Sequence, residues 1–377
     1  MNHRVRFGVR AAVCALLAMS SAGCGGANLT PQSLAPSAPY ARTFDASSGS
    51  GLSSLPVLRD TNPSTSGVFL GEVCDQSSVV PCPAFENTFR HGIAVGTVYA
   101  DWSADLADLV KNQALLSWRA AGISPEITWQ PTNAVTFDDI NRGKYDSYFT
   151  LSAQELKRFG STIYLRPFHE FNGSWYSWGL VNQGADAAAD RAFVAAWQRM
   201  VGIFHNAGAA NVKFVWCFST GGLANTEAWD NPTNVYPGDE YVDWISFDTY
   251  NRGNKITGTK WKSFDEIAAA PYQLATSIST KRPVSISELA STEYGDGGSM
   301  KSAWIKHMLE ELQSAHSPYP HLRLISWFDT DIKGYMYDLQ STSPVYGTFV
   351  NGIRGRNSQG LLYFRSNASA LSKLVSI

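Results

Sequence analysis

The chain has 377 residues, of which 44% are hydrophobic and only 16% are charged. This composition supports a large buried core and excludes a chain that is disordered throughout. The net charge of −2 leaves no basic footprint for nucleic acid, so we expect no nucleic-acid partner.

The first predicted element is an export signal. A basic stretch (1–10) precedes a short apolar run and the small residues SSAGCGG (20–26), which is the order of a signal peptide. SAGC (21–24) resembles a bacterial lipobox and predicts a lipid on Cys24; ordinary signal cleavage is the alternative. The apolar run is too short to span a bilayer. We therefore expect an exported cell-envelope lipoprotein that meets the membrane only through its lipid, or otherwise a periplasmic or secreted protein.

A tether follows the signal. The residues up to 65 are rich in Ser, Pro, Ala, Gly and Thr and lack apolar periodicity. We predict a signal peptide over 1–23, a lipidated N-terminus and flexible linker over 24–65, and one folded domain over 66–377. Cys74 and Cys82 flank a short loop and predict a local disulfide. The remaining cysteine, in FVWCF (214–218), is predicted to be a buried inert thiol.

Eight apolar, strand-like runs alternate with longer amphipathic stretches across this domain. The runs are 67–73, 92–102, 123–131, 161–170, 211–219, 242–250, 282–290 and 322–330. The helix-like stretches include 103–122, 190–208 and 300–316, with Gly122 and Gly208 where helix C-caps are expected. This alternation predicts an α/β fold with a parallel sheet, and eight units favour a (β/α)8 TIM barrel. A doubly wound sheet is the weaker alternative, because no GxGxxG opens a helix.

The strand-like runs end in polar or aromatic residues. These are His169, Glu170, Phe218, Ser219, Asp248, Tyr250, Glu288, Trp327 and Asp329. Because the C-terminal strand ends of a barrel converge on one face, we expect a functional mouth there.

Several chemistries lack their motifs. HEFNG (169–173) begins like the zinc-protease motif HExxH, but Gly173 stands where the second histidine would be. The sequence has no GxSxG elbow and no phosphate loop. We expect neither a metal nor a cofactor in the mouth.

Two glutamates remain prominent at the strand ends, Glu170 and Glu288. Cleavage of a glycosidic bond needs such a pair: one carboxyl protonates the leaving oxygen, and the other attacks or positions water. The acid needs a raised pKa, which apolar walls would provide. The candidate walls are Phe168, Phe171, Trp175 and Trp178.

Three segments together resemble glycoside hydrolase family 26, the β-mannanase family of the large barrel clan. They are RPFHEFNGSWYSWG (166–179), YPGDEYVDWISFDTYN (236–251) and VSISELAS (284–291). The resemblance implies a retaining endo-glycanase with Glu170 as acid/base and Glu288 as nucleophile.

The resemblance also implies roles for residues around this pair. His169 matches the histidine beside the acid, and Tyr250 matches a tyrosine that donates a hydrogen bond to the nucleophile. Trp175 and Trp327 match aromatic platforms beneath sugar rings. Phe218 aligns with positions that face the cleft.

Two further residues have two possible roles each, and a third has one expected role. Asn172 binds a sugar hydroxyl or serves as a turn residue. Trp178 is a subsite wall or a core residue. Arg166 is predicted to lie low in the barrel and to orient a carboxylate.

The substrate is predicted to be a β-1,4-mannan-type polysaccharide, hydrolysed by a monomer. Phe328 stands where some mannanases carry an arginine, and YVDWISFDTYN (241–251) looks more like members that act on mixed-linkage β-glucan. A β-1,3-1,4-glucanase is therefore the alternative, followed by a β-1,3-xylanase. From another class, a carbohydrate-binding lipoprotein without turnover is the competing hypothesis.

Overall fold

The structure is a computed structural model. It describes residues 56–61, 64–73, 89–103, 106–132, 134–224, 231–255, 258–339, 343–356 and 362–374. The predicted signal peptide, the lipidated Cys24 and the Cys74–Cys82 disulfide lie outside these ranges. Within them, no helix has the length and apolar character needed to cross a membrane.

Eight parallel strands close into a barrel, which confirms the predicted (β/α)8 architecture. They are β1 (Val68–Val73), β2 (Val95–Asp101), β3 (Ser124–Gln130), β4 (Ile163–Pro167), β5 (Val212–Ser219), β6 (Trp244–Asn251), β7 (Val284–Ser291) and β8 (Leu322–Phe328). Each strand pairs with the next, and β8 pairs with β1 to close the sheet.

Helices between the strands cover the outside of the barrel. They are α1 (Leu106–Val110), α2 (Gln113–Ala120), α3 (Phe137–Asn141), α4 (Asp146–Arg158), α5 (Ala187–Asn206), α6 (Phe264–Ile278), α7 (Ser299–Gln313), α8 (Ser343–Ile353) and α9 (Ala368–Lys373). Gly122 and Gly208 follow α2 and α5 with φ of 76° and 69°, the left-handed conformation that ends many helices. The predicted stretch 103–122 forms two helices because Asn112 caps α2, accepting a hydrogen bond from the Ala114 N–H at 2.8 Å.

Helix α6 is fixed to the barrel by a proline. Pro271 lies inside α6 and has no N–H to donate to the carbonyl of Ile267. The Thr249 hydroxyl of β6 donates to this carbonyl instead, at 3.0 Å. The hydrogen bond that the proline removes from the helix is therefore replaced by one between α6 and β6.

The bottom of the barrel is sealed by segments from both ends of the described chain. A short strand, β9 (Phe364–Arg365), pairs with the lower half of β1. Leu58 forms a parallel bridge with His91, and the buried Arg365 forms an ion pair with Asp60. Residues near 60, predicted as linker, thus pack against the domain upstream of the expected boundary at Ser66.

Candidate active site

Arg166 lies at the centre of the barrel mouth and binds three carboxylates. It extends from β4, is fully buried, and bonds both oxygens of Asp248 at 3.0 and 2.9 Å. Its second terminal nitrogen donates to Glu288 at 2.7 Å, and its Nε lies 3.2 Å from Glu126. This confirms the expectation that Arg166 orients a carboxylate.

One guanidinium cannot balance three buried carboxylates, so the cluster favours holding a proton. Burial raises the pKa of Glu126, and burial together with the charge of Glu288 raises the pKa of Asp248. The Cys217 thiol donates to Asp248 at 3.3 Å, and burial raises its own pKa. Cys217 is therefore a buried thiol, as predicted from the apolar run around it.

Glu288 accepts hydrogen bonds on both of its oxygens. The Tyr99 hydroxyl donates to Oε1 at 2.5 Å, beside the bond from Arg166, and the Tyr250 hydroxyl donates to Oε2. Burial and the charge of Glu288 raise the pKa of both tyrosines well above the usual range. The two hydroxyls therefore keep their protons, and Glu288 is held by three donors.

Two aromatic rings pack against Tyr250, one stacked and one edge-on. Its ring lies 5.2 Å from that of Tyr337 and 5.6 Å from that of Phe328. The loop that carries Tyr337 is fastened by the buried Lys301, whose ammonium donates to the carbonyls of Met336 at 2.8 Å and of Asp338 at 2.5 Å. The tyrosine that bonds Glu288 is thus supported by the loop after β8.

Glu170 stands on an unusual turn. Strand β4 ends at Pro167, and the next residues alternate into the left-handed region, with φ of 50° at Phe168 and 54° at Glu170. Such positions cost about 1–3 kcal/mol each in residues other than glycine and cluster at functional sites. The Glu170 N–H donates to the Cys217 carbonyl at 2.9 Å, which fixes the turn to β5.

The Glu170 carboxyl is bonded by an indole and has little contact with solvent. Its side chain accepts a hydrogen bond from the Trp175 indole at 2.6 Å, and the residue is only 8% exposed. Burial and the nearby charge of Glu288 raise the pKa of Glu170 to about 7. Near neutral pH this carboxyl can therefore both give and accept a proton.

Gly173 makes room for the indole of Trp175. A Cβ at Gly173 would lie 2.4 Å from that ring. The glycine that breaks the HExxH pattern thus allows Trp175 to reach Glu170. Trp175 remains half-buried in the mouth, as a hydrogen-bond donor to Glu170.

Asn172 does not face the cleft. It is fully buried, its Oδ1 accepts the Ser219 N–H at 2.8 Å, and its Nδ2 donates to the Ser219 carbonyl at 2.9 Å. The amide clamps the loop after β4 to the end of β5, so the structure replaces the predicted sugar contact with a positioning role.

His169 is neutral and packs among aromatic rings. Burial and the charge of Arg166 lower its pKa well below the usual value. Its Nε2 lies 3.0 Å from the Tyr176 hydroxyl, and Nδ1 has no partner among the described residues. Trp178 is buried beneath, stacked on Tyr176 at 4.1 Å, with its indole donating to the His169 carbonyl. Of the two readings of Trp178, the structure supports the core residue.

Two predicted substrate contacts point away from the mouth. Phe218 is fully buried and stacks on Phe247 at 5.9 Å. Trp327 is 1% exposed and packs between Trp304 of α7 and Phe349 of α8. Successive strand residues face opposite sides, so the helix-facing Trp327 leaves its neighbour Phe328 to face Tyr250. The predicted roles of Phe218 and Trp327 as sugar contacts are therefore wrong for this structure.

Sequence reasoning did not single out three residues of this site: Tyr99, Tyr176 and Glu126. Tyr99 carried a usable signal, because it lies near the end of β2 as Tyr250 lies near the end of β6. The inward orientation of Glu126 has no such signal, since every residue of β3 is buried. One group of three potential metal ligands is found among the described residues, and it lies on α6 and α7, outside the mouth.

Comparison with known proteins gives consistent matches. The sequence model described as glycosyl hydrolase family 26 matches residues 134–287, ending one residue before Glu288. Endoglucanase H of Acetivibrio thermocellus is 33% identical over 269 residues, covering 70% of this chain and 27% of that protein. A mannan endo-1,4-beta-mannosidase of Bifidobacterium adolescentis is 31% identical over 131 residues, covering 32% of this chain and 12% of the relative. The chain thus spans about a quarter or less of the length of these relatives.

Solved structures share the fold at low sequence identity. A GH26 beta-mannanase from Bacteroides ovatus superposes with a TM-score of 0.56 at 14% identity, covering 77% of this chain and 89% of the other. An endo-beta-1,4-mannanase double mutant from Cellulomonas fimi gives a TM-score of 0.55 at 15% identity, covering 76% and 70%. These likenesses establish the barrel architecture.

Proposed function

Because the chain belongs to glycoside hydrolase family 26, we propose that it is a retaining endo-β-glycanase that works by double displacement. The observation that carries this proposal is the contrast between two carboxyl groups in one mouth. Glu170 has a pKa raised to about 7, and Glu288 is held by Arg166, Tyr99 and Tyr250. A proton donor and a fixed nucleophile are the two groups that this reaction needs.

In the first step Glu288 attacks the anomeric carbon, while Glu170 protonates the glycosidic oxygen. The bond to the leaving sugar breaks and a glycosyl ester forms on Glu288. In the second step the ionised Glu170 takes a proton from water, and the resulting hydroxide equivalent attacks the same carbon. The ester breaks, Glu288 is released as a carboxylate, and the product retains its β configuration.

Neighbouring groups support each step. Arg166 and the hydroxyls of Tyr99 and Tyr250 fix the nucleophile and stabilise it again when the ester breaks. The Trp175 indole stabilises the ionised form of Glu170, which is the form that acts as base in the second step. The neutral His169 is buried next to Glu170, and its Nδ1 has no hydrogen-bond partner within the described part of the chain.

For the substrate we propose a β-1,4-mannan-type polysaccharide, because several relatives and solved structures are named mannanases. β-Glucan is the second candidate, because the relative that aligns with 70% of this chain is named an endoglucanase. The phenylalanine after Trp327, where some mannanases carry an arginine, also agrees with a glucan.

A polysaccharide panel tests the proposal. We expect purified protein to release oligosaccharides from glucomannan or galactomannan, and barley-type β-glucan and β-1,3-xylan serve as the competing substrates. Azide should restore turnover to Glu288→Ala with an inverted product, and it should not do so for a folded double variant that also lacks Glu170. Absence of product from every polysaccharide would instead favour a carbohydrate-binding protein without turnover.

We further propose that the chain is an exported lipoprotein that acts as a monomer. The order of basic, apolar and small residues before Cys24 supports the export signal. A Cys24→Ser variant should lose incorporation of labelled fatty acid and leave the membrane fraction. Unchanged labelling of this variant would overturn the anchor.

A further inference from the structure

A cluster of titratable side chains lies outside the mouth, between α6 and α7. Asp265 is in the first turn of α6, and His307 and Glu311 are one turn apart on α7. The His307 Nε2 lies 3.3 Å from Asp265 Oδ2 and 3.5 Å from Glu311 Oε2, and the three ligand atoms lie within 4.8 Å of one another. One imidazole and two carboxylates therefore converge on one point.

The spacing matches the coordination geometry of zinc. Zn²⁺ binds His nitrogen and carboxylate oxygen at about 2.0–2.2 Å, so neighbouring tetrahedral ligands are roughly 3.3–3.6 Å apart. Both distances from the His307 nitrogen fall in this range. The side chain of His307 is 55% exposed, which leaves a path from solvent and room for a water in the fourth position.

A neighbouring tyrosine orients one of the ligands. The Tyr319 hydroxyl donates to Asp265 Oδ1 at 2.6 Å, and the other oxygen, Oδ2, faces His307. Ligating carboxylates are commonly held in this way by a hydrogen bond outside the coordination shell. Oδ1 of Asp265 is thus held by a residue outside the cluster, and Oδ2 points toward His307 and the centre of the cluster.

The second carboxylate is enclosed and faces His307. Oε2 of Glu311 lies 3.5 Å from the His307 Nε2, and it makes no hydrogen bond of ordinary geometry to a described residue. Two ionised carboxylates this close repel each other, and a divalent ion beside His307 would interact favourably with both.

We propose that Asp265, His307 and Glu311 form a Zn²⁺ site that joins α6 to α7 on the outside of the barrel. Two carboxylates and an imidazole suit Zn²⁺ better than Ca²⁺, which takes six to eight oxygen ligands. The ion ties together two helices that flank β7, the strand that carries Glu288. Its role is stabilisation of the fold, and it takes no part in the hydrolysis.

Calorimetric titration of ZnCl₂ into untagged, chelator-treated protein tests this site directly. We expect one Zn²⁺ per chain, and we expect His307→Ala and Glu311→Gln each to weaken its binding at least about tenfold. The matched control is Glu310→Gln, the adjacent and exposed acid on α7, which should leave the dissociation constant within about twofold. CaCl₂ should give no comparable heat.

Thermal unfolding distinguishes a Zn²⁺ site from a cluster of ion pairs that binds no metal. Zn²⁺ should raise the unfolding midpoint of the wild type and of Glu310→Gln, and leave that of His307→Ala unchanged, since only binding to the folded state stabilises it. Failure to bind Zn²⁺ would overturn the site, and so would equal binding by the His307→Ala variant. Both readouts are independent of hydrolysis, so they are distinct from any test of the glycanase proposal.

Discussion

Glu170 and Glu288 share one mouth but have opposite surroundings. Glu288 lies within β7 and receives hydrogen bonds from a buried guanidinium and two tyrosine hydroxyls. Glu170 stands on a left-handed turn beyond β4, where the Trp175 indole donates to it and no guanidinium bonds it among the described residues. The comparison shows how one fold gives two identical side chains different environments: donors and a cation hold Glu288, the proposed nucleophile, while burial and a neighbouring charge favour the protonated form of Glu170, the proposed acid.

The largest expected effect distinguishes the two carboxyl groups by comparing substrates with poor and good leaving groups. Glu170→Ala should lower kcat/KM on polysaccharide by about 10²–10⁴-fold, because the glycosidic oxygen loses its proton donor. It should retain much more activity on an activated aryl glycoside, whose leaving group needs no proton. Glu288→Ala should lose activity on both substrates. The measurement is the ratio of kcat/KM between variant and wild type on each of the two substrates. Equal losses for Glu170→Ala on both substrates would contradict its role as acid.

Removal of Arg166 should affect stability more than any other single change at the mouth. Arg166→Met leaves Glu126, Asp248 and Glu288 without their cation, which predicts a loss of about 3–5 kcal/mol in the free energy of unfolding. Denaturant titration measures this loss. Arg142→Met is the control, because Arg142 forms an exposed ion pair with Asp139 and should cost less than about 1 kcal/mol. Similar losses in the two variants would refute the central position of Arg166.

Burial of Glu170 should lower stability as the pH rises. Its pKa is about 7 in the folded state against an ordinary glutamate value of 4.5, so between these values the folded state binds more protons than the unfolded state. The free energy of unfolding therefore falls as the pH rises through this window, by up to about 3 kcal/mol. Glu170→Gln should be more stable than the wild type at pH 8, with the difference shrinking toward pH 5. A difference that is constant with pH, or one matched by the exposed Glu310→Gln variant, would rule this out.

The smallest effect should come from the indole that bonds Glu170. The Trp175 N–H favours the ionised carboxylate, so its removal in Trp175→Phe should raise the pKa of Glu170 further. The high-pH limb of kcat/KM, which requires protonated Glu170, should move up by about one pH unit. Trp261→Phe, at an indole outside this contact, should leave the limb in place. A change in KM alone would mean that Trp175 is a sugar platform only.

The barrel could be predicted from the sequence because its signals are local. Eight apolar runs, the glycines after α2 and α5, and the polar strand ends gave the architecture and the mouth. Roles that depend on pairing across the barrel could not be read in this way. The side chain of Asn172 is hydrogen-bonded to the backbone of Ser219, 47 positions away. No pattern around HEFNG (169–173) indicates that partner.

Orientation at the strand ends was the other source of error. Trp327 and Phe328 are adjacent and both aromatic, and a shift of one residue decides which side chain faces the mouth. The pairing of β7 with β8 is irregular between Ile286 and Leu289, so counting along the strand does not give that orientation. Contacts of residues near 60 depend on β9 and the residue after it, about 300 positions further along the chain.

Covalent trapping tests the division of roles between the two glutamates most directly. A 2-deoxy-2-fluoro-β-glycosyl fluoride of the preferred sugar should form a stable ester with the nucleophile, because the fluorine slows the second step more than the activated first step. Intact mass should rise by one glycosyl unit, and peptide mapping should place that unit on Glu288. A label on Glu170 would contradict the account, as would an inverted product from unlabelled substrate.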